Sequence, residues 1–326
     1  MLDVAIIGGG PAGLATAIEC GRKSLSHVVL EKGALVDAIR RFPVNMVFFT
    51  TPELLEIGEL PLTCAAEKPT RLESLKYYRR VAAYYRIPLR LYEKVRAIGR
   101  VNGSFELESS YERGQKGTPQ TVRARKLVVA CGYYDNPNLL GVAGEALPKV
   151  SHYFTESHPY FGLEVAVIGG ANSAAECALD LFRSGVSVTL IHRGPALSTH
   201  IKYWVRPDIL NRIERGEVKA FLETEVVAIH PGKLRLRRNN GETFEIANDA
   251  VLALTGYQPD YAFLSSMGIE VDSESGKPSV NPDTCETNVP GIYLAGGVVA
   301  GRENNKIFIE NGRFHGKKIV EHVAGS

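Results

Sequence analysis

Two places in this chain carry residues spaced to hold a phosphate. GGGPAG sets Gly8, Gly10 and Gly13 in the pattern G-x-G-x-x-G, and GGANSA sets Gly169, Ala171 and Ala174 in the same pattern. In such a run the first glycine permits a tight turn, the second lets backbone approach a pyrophosphate, and the third lets helix pack close to strand. The N–H groups opening the helix then face the anion. A residue able to read a ribose comes after each run. Glu31 can accept hydrogen bonds from a ribose diol. At the matching offset the second copy has His192 and then Arg193. A carboxylate there would repel a 2′-phosphate, whereas a guanidinium can bond it.

The residue types therefore predict two different dinucleotides. FAD is expected at Gly8, Gly10, Pro11, Ala12, Gly13, Glu31 and Lys32. NADPH, in preference to NADH, is expected at Gly169, Gly170, Asn172, Ser173, Ala174, His192 and Arg193. Ala171 leaves less room for a pyrophosphate than glycine would. Lys202 and Arg206 come next, either as part of the phosphate pocket or as solvated surface charge. A bound flavin is the natural partner for nicotinamide hydride, so two such sites on one chain imply redox chemistry performed by cofactors.

The thiols do not supply an obvious redox pair. Cys20, Cys64, Cys131, Cys177 and Cys285 are odd in number, scattered, and without a C-x-x-C. That pattern fits a reducing cytoplasm and argues against a disulfide framework or a zinc site. Cys177 reads as core, Cys64 and Cys285 as loop residues, and Cys20 lies too far along its helix to serve the first turn. Cys131, beside a predicted crossover loop, is the cysteine that could face a flavin, with a buried inert thiol as the alternative. His315 is a candidate proton donor, with a plain helix histidine as the alternative. His152 and His158 read as structural.

The elements that must position these residues emerge from apolar periodicity. DVAII and EVAVI precede the two turns, helical spacing comes after them, and HVVLEKG and SVTLIHRG close each unit. Strand, glycine turn, helix and strand make a βαβ unit with a parallel sheet. A helix is predicted near Arg71 to Tyr85, a hairpin at RRNNGETFEI (Arg237 to Ile246), and a C-terminal helix from about Asn304 to Val323. The fold class is α/β: two Rossmann-like, three-layer ββα nucleotide-binding domains, the second inserted into the first. The FAD-binding domain is expected over 1–156 and 256–326, and the NADPH-binding domain over 157–255. The net charge of +2 gives no sign of a nucleic-acid or membrane-surface partner. No apolar run is long enough to span a bilayer, and the first strand is expected by Val4, leaving no room for a signal peptide.

Further motifs carry a resemblance. VVACGYY (Val128 to Tyr134) and LALTGYQPD (Leu252 to Asp260) look like two crossover motifs, with Gly132 and Gly256 at their turns. GIYLAGG (Gly291 to Gly297) looks like a C-terminal flavin motif, with Gly296 and Gly297 where Gly-Asp is usual. Together with YFTESHPYFG, IKYWVRPD and KIFIENGRFHG, they make the chain similar to the bacillithiol-disulfide reductase family of thioredoxin-reductase-like flavoproteins. The resemblance implies FAD, NADPH, a low-molecular-weight thiol disulfide such as bacillithiol disulfide as substrate, and a cytoplasmic homodimer. It adds Phe48, Phe49, Thr50, Gly132, Gly296, Gly297 and Ile307 to the flavin site and Gly256 to the NADPH site. Family members carry Gly-Gly-Gly-Pro-Cys-Gly in the first turn; here Ala12 replaces that cysteine, and the catalytic residue is left unassigned. Two alternatives stand beside this. One is a thioredoxin-reductase-like ferredoxin or flavodoxin NADP reductase, with a protein electron carrier as partner, although such enzymes usually continue past the last helix. The other is a non-catalytic flavin- or nucleotide-binding redox sensor.

Overall fold

The computed structural model describes residues 1–113, 119–303 and 306–325. Along the first part of the chain it forms β1 (Leu2–Ile7), α1 (Pro11–Arg22), β2 (His27–Glu31), α2 (Asp37–Arg40), α3 (Pro52–Leu55), α4 (Arg71–Tyr84), β3 (Leu89–Leu91), β4 (Glu93–Val101), β5 (Ser104–Tyr111) and β6 (Gln120–Val129). The middle forms β7 (Val150–Ser151), β8 (Glu164–Ile168), α5 (Asn172–Arg183), β9 (Ser187–Ile191), α6 (Arg206–Glu214), β10 (Lys219–Phe221), β11 (Thr224–His230), β12 (Lys233–Arg238), β13 (Thr243–Ala247) and β14 (Ala250–Ala253). The last part forms α7 (Tyr261–Ser266), β15 (Ile292–Leu294), α8 (Ile309–Gly312) and α9 (His315–Gly325).

These elements gather into two compact units. One comprises residues 1–41, 45–136 and those from 257 onward; the other comprises 42–44 and 137–256. The second unit takes in the chain from 137 onward, where the sequence places its start at 157. The reason is β7. It pairs in parallel with β14, Val150 opposite Val251, and so joins the second sheet. The Asn138 N–H also donates to the Gly256 carbonyl at 2.9 Å. A two-residue strand has no periodicity that sequence could show.

In the first unit the sheet runs β3-β2-β1-β6-β5-β4, with β15 also on β6. β1 is apolar on both faces because both are covered, as in parallel sheets generally. β6 serves three partners: Gln120 to Ala124 pair antiparallel with β5, Ala124 to Val129 pair parallel with β1, and Leu127 to Val129 pair parallel with β15. That handover lets Val95, Phe105 and Leu107 fold over Ala5, Ile7, Val28 and Leu30 in one core. The opposite face takes α1, which packs on α9. α4 matches its predicted span and starts on a capping box, with Glu73 N–H donating to Thr70 Oγ1 and Thr70 N–H to Glu73 Oε2. The predicted C-terminal helix is two helices, broken at Arg313 and Phe314; residues 304 and 305 lie outside the described residues. At the break, Arg313 Nη1 donates to the carbonyls of Glu53 and Glu56 at 2.7 and 2.5 Å.

The second unit shows the three expected layers. Its sheet runs β10-β9-β8-β14-β7, all parallel. Val165, Val167, Val188 and Leu190 face Ala178 and Leu181 of α5 and Ile209 of α6. Their neighbours Ala166, Ile168 and Ile191 face Val226, Leu234 and Leu236 of the antiparallel sheet β11-β12-β13. Alternation along each strand thus sends one set of side chains to each layer. Each fully buried Val, Leu or Ile contributes about 1.5–3 kcal/mol of burial free energy. The predicted hairpin is β12 and β13, in register with Arg237 opposite Thr243.

Candidate functional site

The first glycine turn joins β1 to α1 with Gly8 at φ +113°, in the region that favours glycine. A Cβ on Gly8 would stand 2.4 Å from the Ala130 carbonyl oxygen, and one on Gly13 would stand 2.0 Å from the Gly8 oxygen. Gly10 is the opposite case: a Cβ there meets nothing within 4 Å. Two of the glycines therefore serve packing, and the middle one faces open space where a pyrophosphate belongs. The N–H groups of Gly10, Ala12 and Gly13 make no hydrogen bond among the described residues, leaving a set of donors at a helix N-terminus. Glu31 is buried beside the turn. Its Oε2 accepts from Gly9 N–H at 2.6 Å and its Oε1 from Gly33 N–H at 2.7 Å. Burial raises its pKa, against the lowering effect of those two bonds. Each oxygen keeps a lone pair, which suits a ribose diol. Donors for phosphate and acceptors for ribose make these residues fit a dinucleotide such as FAD.

The second turn repeats this geometry. Gly169 has φ +150°, and a Cβ there would stand 2.5 Å from the Leu254 oxygen. The N–H groups of Asn172, Ser173 and Ala174 make no hydrogen bond among the described residues. A Cβ on Gly170 would collide with the His192 ring at 2.4–2.6 Å, just as one on Gly9 would meet Glu31 Cβ at 2.9 Å. His192 thus fills the place of Glu31. Burial, and then Arg193, lower its pKa, so it sits neutral. Arg193 is exposed and makes no hydrogen bond or ion pair among the described residues. Asn172 is occupied differently: its Oδ1 accepts from Lys202 N–H at 2.9 Å and its Nδ2 donates to the His200 carbonyl at 3.2 Å. This pins the 198–202 loop to the start of α5. Lys202 Nζ pairs with Glu176 at 2.6 Å. Arg206 opens α6 with its Nε buried and unpartnered among the described residues. These donors fit a phosphorylated nicotinamide dinucleotide.

Sequence reasoning missed a clasp common to both turns. Val36 N–H donates to the Gly9 carbonyl at 3.0 Å, and Ser198 N–H to the Gly170 carbonyl at 2.8 Å. Val36 does so at φ +48°, a conformation that costs a β-branched residue of order 1–3 kcal/mol. The signal was present in the paired EKG and HRG. Their glycines sit tightly against side chains: a Cβ on Gly33 would stand 2.7 Å from Asp37 Cγ, and one on Gly194 2.7 Å from His192 Nε2. Asp135 was missed too. It pairs with Lys32 at 2.8 Å and with Arg41, so Lys32 is held as an ion pair beside the first site.

The remaining flavin candidates lie in the first unit. Phe48 and Thr50 are buried, and Phe49 is 37% exposed with its ring 5.4 Å from Phe308, edge-on. A Cβ on Gly296 would stand 2.7 Å from Ala12 Cβ, so Ala12 and the C-terminal flavin motif touch. Ile307 packs beside Gly312, itself against Gly296. Gly132 has φ +65° with open space where a Cβ would be. In the second unit, Gly256 has φ +90° and its carbonyl accepts from Asn138. His315 Nδ1 accepts from Gly296 N–H at 3.0 Å. Burial, and then Lys318, lower its pKa. The ring is therefore neutral with its proton on Nε2, fixed as a hydrogen-bond donor.

The cysteines are far from being a thiolate relay. Burial pushes the Cys20 and Cys131 thiols up to about 12, Cys177 well above the ordinary range, and Cys285 upward. Cys64 donates to the Ala66 carbonyl at 2.9 Å. Among the described residues no group of three or more His, Cys, Asp or Glu could hold a metal ion.

Comparison with known proteins agrees with this geometry. The model of the family "Pyridine nucleotide-disulphide oxidoreductase" matches residues 5–296. The chain belongs to this family. It is 42% identical over 320 residues to bacilliredoxin reductase Bdr of Bacillus subtilis (strain 168), covering 98% of this chain and 96% of that one. It superposes on the bacillithiol disulfide reductase Bdr (YpdA) of Bacillus cereus with a TM-score of 0.96, at 41% identity and 99% coverage of both. It is 28% identical to a ferredoxin–NADP reductase of Acidiphilium cryptum (strain JF-5), over 91% of this chain and 84% of the other. Family membership makes the protein an oxidoreductase and accounts for both dinucleotide turns.

Proposed function

We propose that the protein is an FAD-dependent NADPH oxidoreductase that reduces the disulfide of a low-molecular-weight thiol, with bacillithiol disulfide as the substrate. The observation that carries this is the full-length likeness to the two Bdr proteins at 41–42% identity. The first turn holds FAD through the N–H groups of Gly10, Ala12 and Gly13 and the carboxylate of Glu31. The second holds NADPH through the start of α5, with Arg193 on the 2′-phosphate. When bound, the flavin supplies two-electron transfer between the nicotinamide and the acceptor. The protein supplies position: Gly8 and Gly13 close the turn, His315 fixes the Gly296 backbone, and Ala12 leaves the flavin wall without a thiol. The net reaction consumes NADPH, a proton and one disulfide and yields NADP+ and two thiols.

A homodimer in a reducing cytoplasm, implied by the resemblance and the scattered cysteines, belongs to the same proposal; light scattering on the purified protein measures the assembly. The test of function is an acceptor panel. Purified protein should be yellow and should bleach under anaerobic NADPH. Steady NADPH consumption is expected with bacillithiol disulfide and not with ferredoxin or flavodoxin. Turnover with the protein carriers alone would move the assignment to a ferredoxin-type reductase, which the 28% likeness favours as the second choice. Bleaching without turnover on any acceptor would leave a redox sensor.

A further inference from the structure

Tyr133 comes directly after Gly132, just past the end of β6, and its ring lies on Gly297. A Cβ built on Gly297 would stand 2.7 Å from Tyr133 Cε1 and 2.9 Å from Cδ1. No side chain fits at position 297 while this ring is in place. Its neighbour Gly296 meets Ala12 at 2.7 Å by the same measure. Ala12, Gly296, Gly297 and Tyr133 therefore form one continuous wall, and Tyr133 is the member with a polar side chain.

The Tyr133 hydroxyl makes no hydrogen bond among the described residues. Two buried phenols of this unit behave differently. Tyr78 Oη donates to the Leu55 carbonyl at 2.9 Å, and Tyr77 Oη to the Leu60 carbonyl at 2.8 Å. The Tyr133 hydroxyl is not one of the fully buried unpartnered atoms, so it stands open to a ligand. Burial, and then the charge of Glu310, raise the Tyr133 pKa, so the hydroxyl stays protonated and can both donate and accept.

In the flavin motif that GIYLAGG resembles, the final Asp bonds the flavin's ribityl chain; with Gly297 in that place, we propose that Tyr133 is a cofactor-binding residue whose hydroxyl bonds a ribityl hydroxyl instead, from the crossover loop. It rests on the assignment of the first turn to FAD. A neutral phenol here replaces a carboxylate and trades an anionic contact for a neutral one.

The test is FAD binding by the full-length protein, stripped of flavin and titrated with FAD by fluorescence quenching. Loss of one neutral hydrogen bond is expected to weaken FAD binding about fivefold in Tyr133→Phe, with a shifted flavin absorbance band and unchanged circular dichroism. Gly297→Asp alone is expected to lose FAD, because its Cβ meets the ring. Tyr133→Ala with Gly297→Asp is expected to recover most of the affinity, since the carboxylate then occupies the vacated space. This pair also covers the case in which Tyr133→Phe folds poorly. FAD affinity and spectrum unchanged in Tyr133→Phe, or Gly297→Asp alone binding FAD like the native protein, would overturn the role of Tyr133 and leave the FAD assignment standing. A native protein that binds no FAD would overturn both.

Discussion

Reversing the charge at Arg193 tests the duplicated site most directly. His192 fills the position that Glu31 holds in the first turn, and Arg193 stands exposed beside it without a partner among the described residues. A charge-assisted hydrogen bond contributes about 1.5–3 kcal/mol, and an exposed guanidinium belongs at the lower end. Since about 1.4 kcal/mol is tenfold in affinity, losing it costs NADPH roughly tenfold relative to NADH. A glutamate adds repulsion of about 1 kcal/mol at roughly 4 Å in water, or about fivefold more. Arg193→Glu is therefore expected to lower the ratio of kcat/KM for NADPH over NADH about 50-fold. NADH turnover itself should change little. The shift should shrink as salt is raised through a Debye length of about 8 Å. Steady-state kinetics with both nucleotides at two ionic strengths give the answer. A ratio that moves less than twofold would show that the cation after the second strand does not read the 2′-phosphate.

Three further outcomes are expected. Gly13→Ala places a Cβ 2.0 Å from the Gly8 oxygen, so backbone must move; a loss of about 1–3 kcal/mol in urea unfolding and loss of bound flavin should result, and an unchanged midpoint would contradict the packing role. Alkylating the native protein with iodoacetamide should label Cys64 first and leave disulfide reductase activity intact; parallel loss of activity would mean that a thiol takes part. His315 and His192 both have pKa values lowered from the ordinary 6.5, so the stability they confer is full above about pH 6.5 and is lost as pH falls below it. Urea titrations from pH 5.5 to 7.5 should show this slope, and His315→Asn, which keeps an acceptor for Gly296 N–H, should flatten part of it; an unaltered slope would count against burial as the cause.

Much of this protein was legible in its sequence because the motifs carry their own geometry. Gly8 and Gly13 can be only glycine where a backbone oxygen lies so close, and Glu31 and His192 sit at equal offsets because the two βαβ units are built alike. What sequence did not show depends on pairings without local signal. The upstream boundary was set by β7, two residues that join a sheet through long-range hydrogen bonds. The C-terminal segment looked like one helix because its apolar spacing continues across Arg313, whose bonds to the Glu53 and Glu56 carbonyls come from a distant part of the chain. Tyr133 lies inside the VVACGYY motif, but its contact with a glycine 164 residues away has no local signal.

The placement of the five thiols has a consequence for conditions of oxidative challenge. Peroxide attacks thiolates, and an enzyme that works through one is switched off when that sulfur climbs to sulfenic and sulfinic acid. Here the thiol nearest the first turn is kept protonated by burial, and the position facing the flavin motif carries a methyl group. A catalyst arranged this way would go on regenerating small thiols while its thiol-dependent neighbours fall silent, which is when the cell has most need of them.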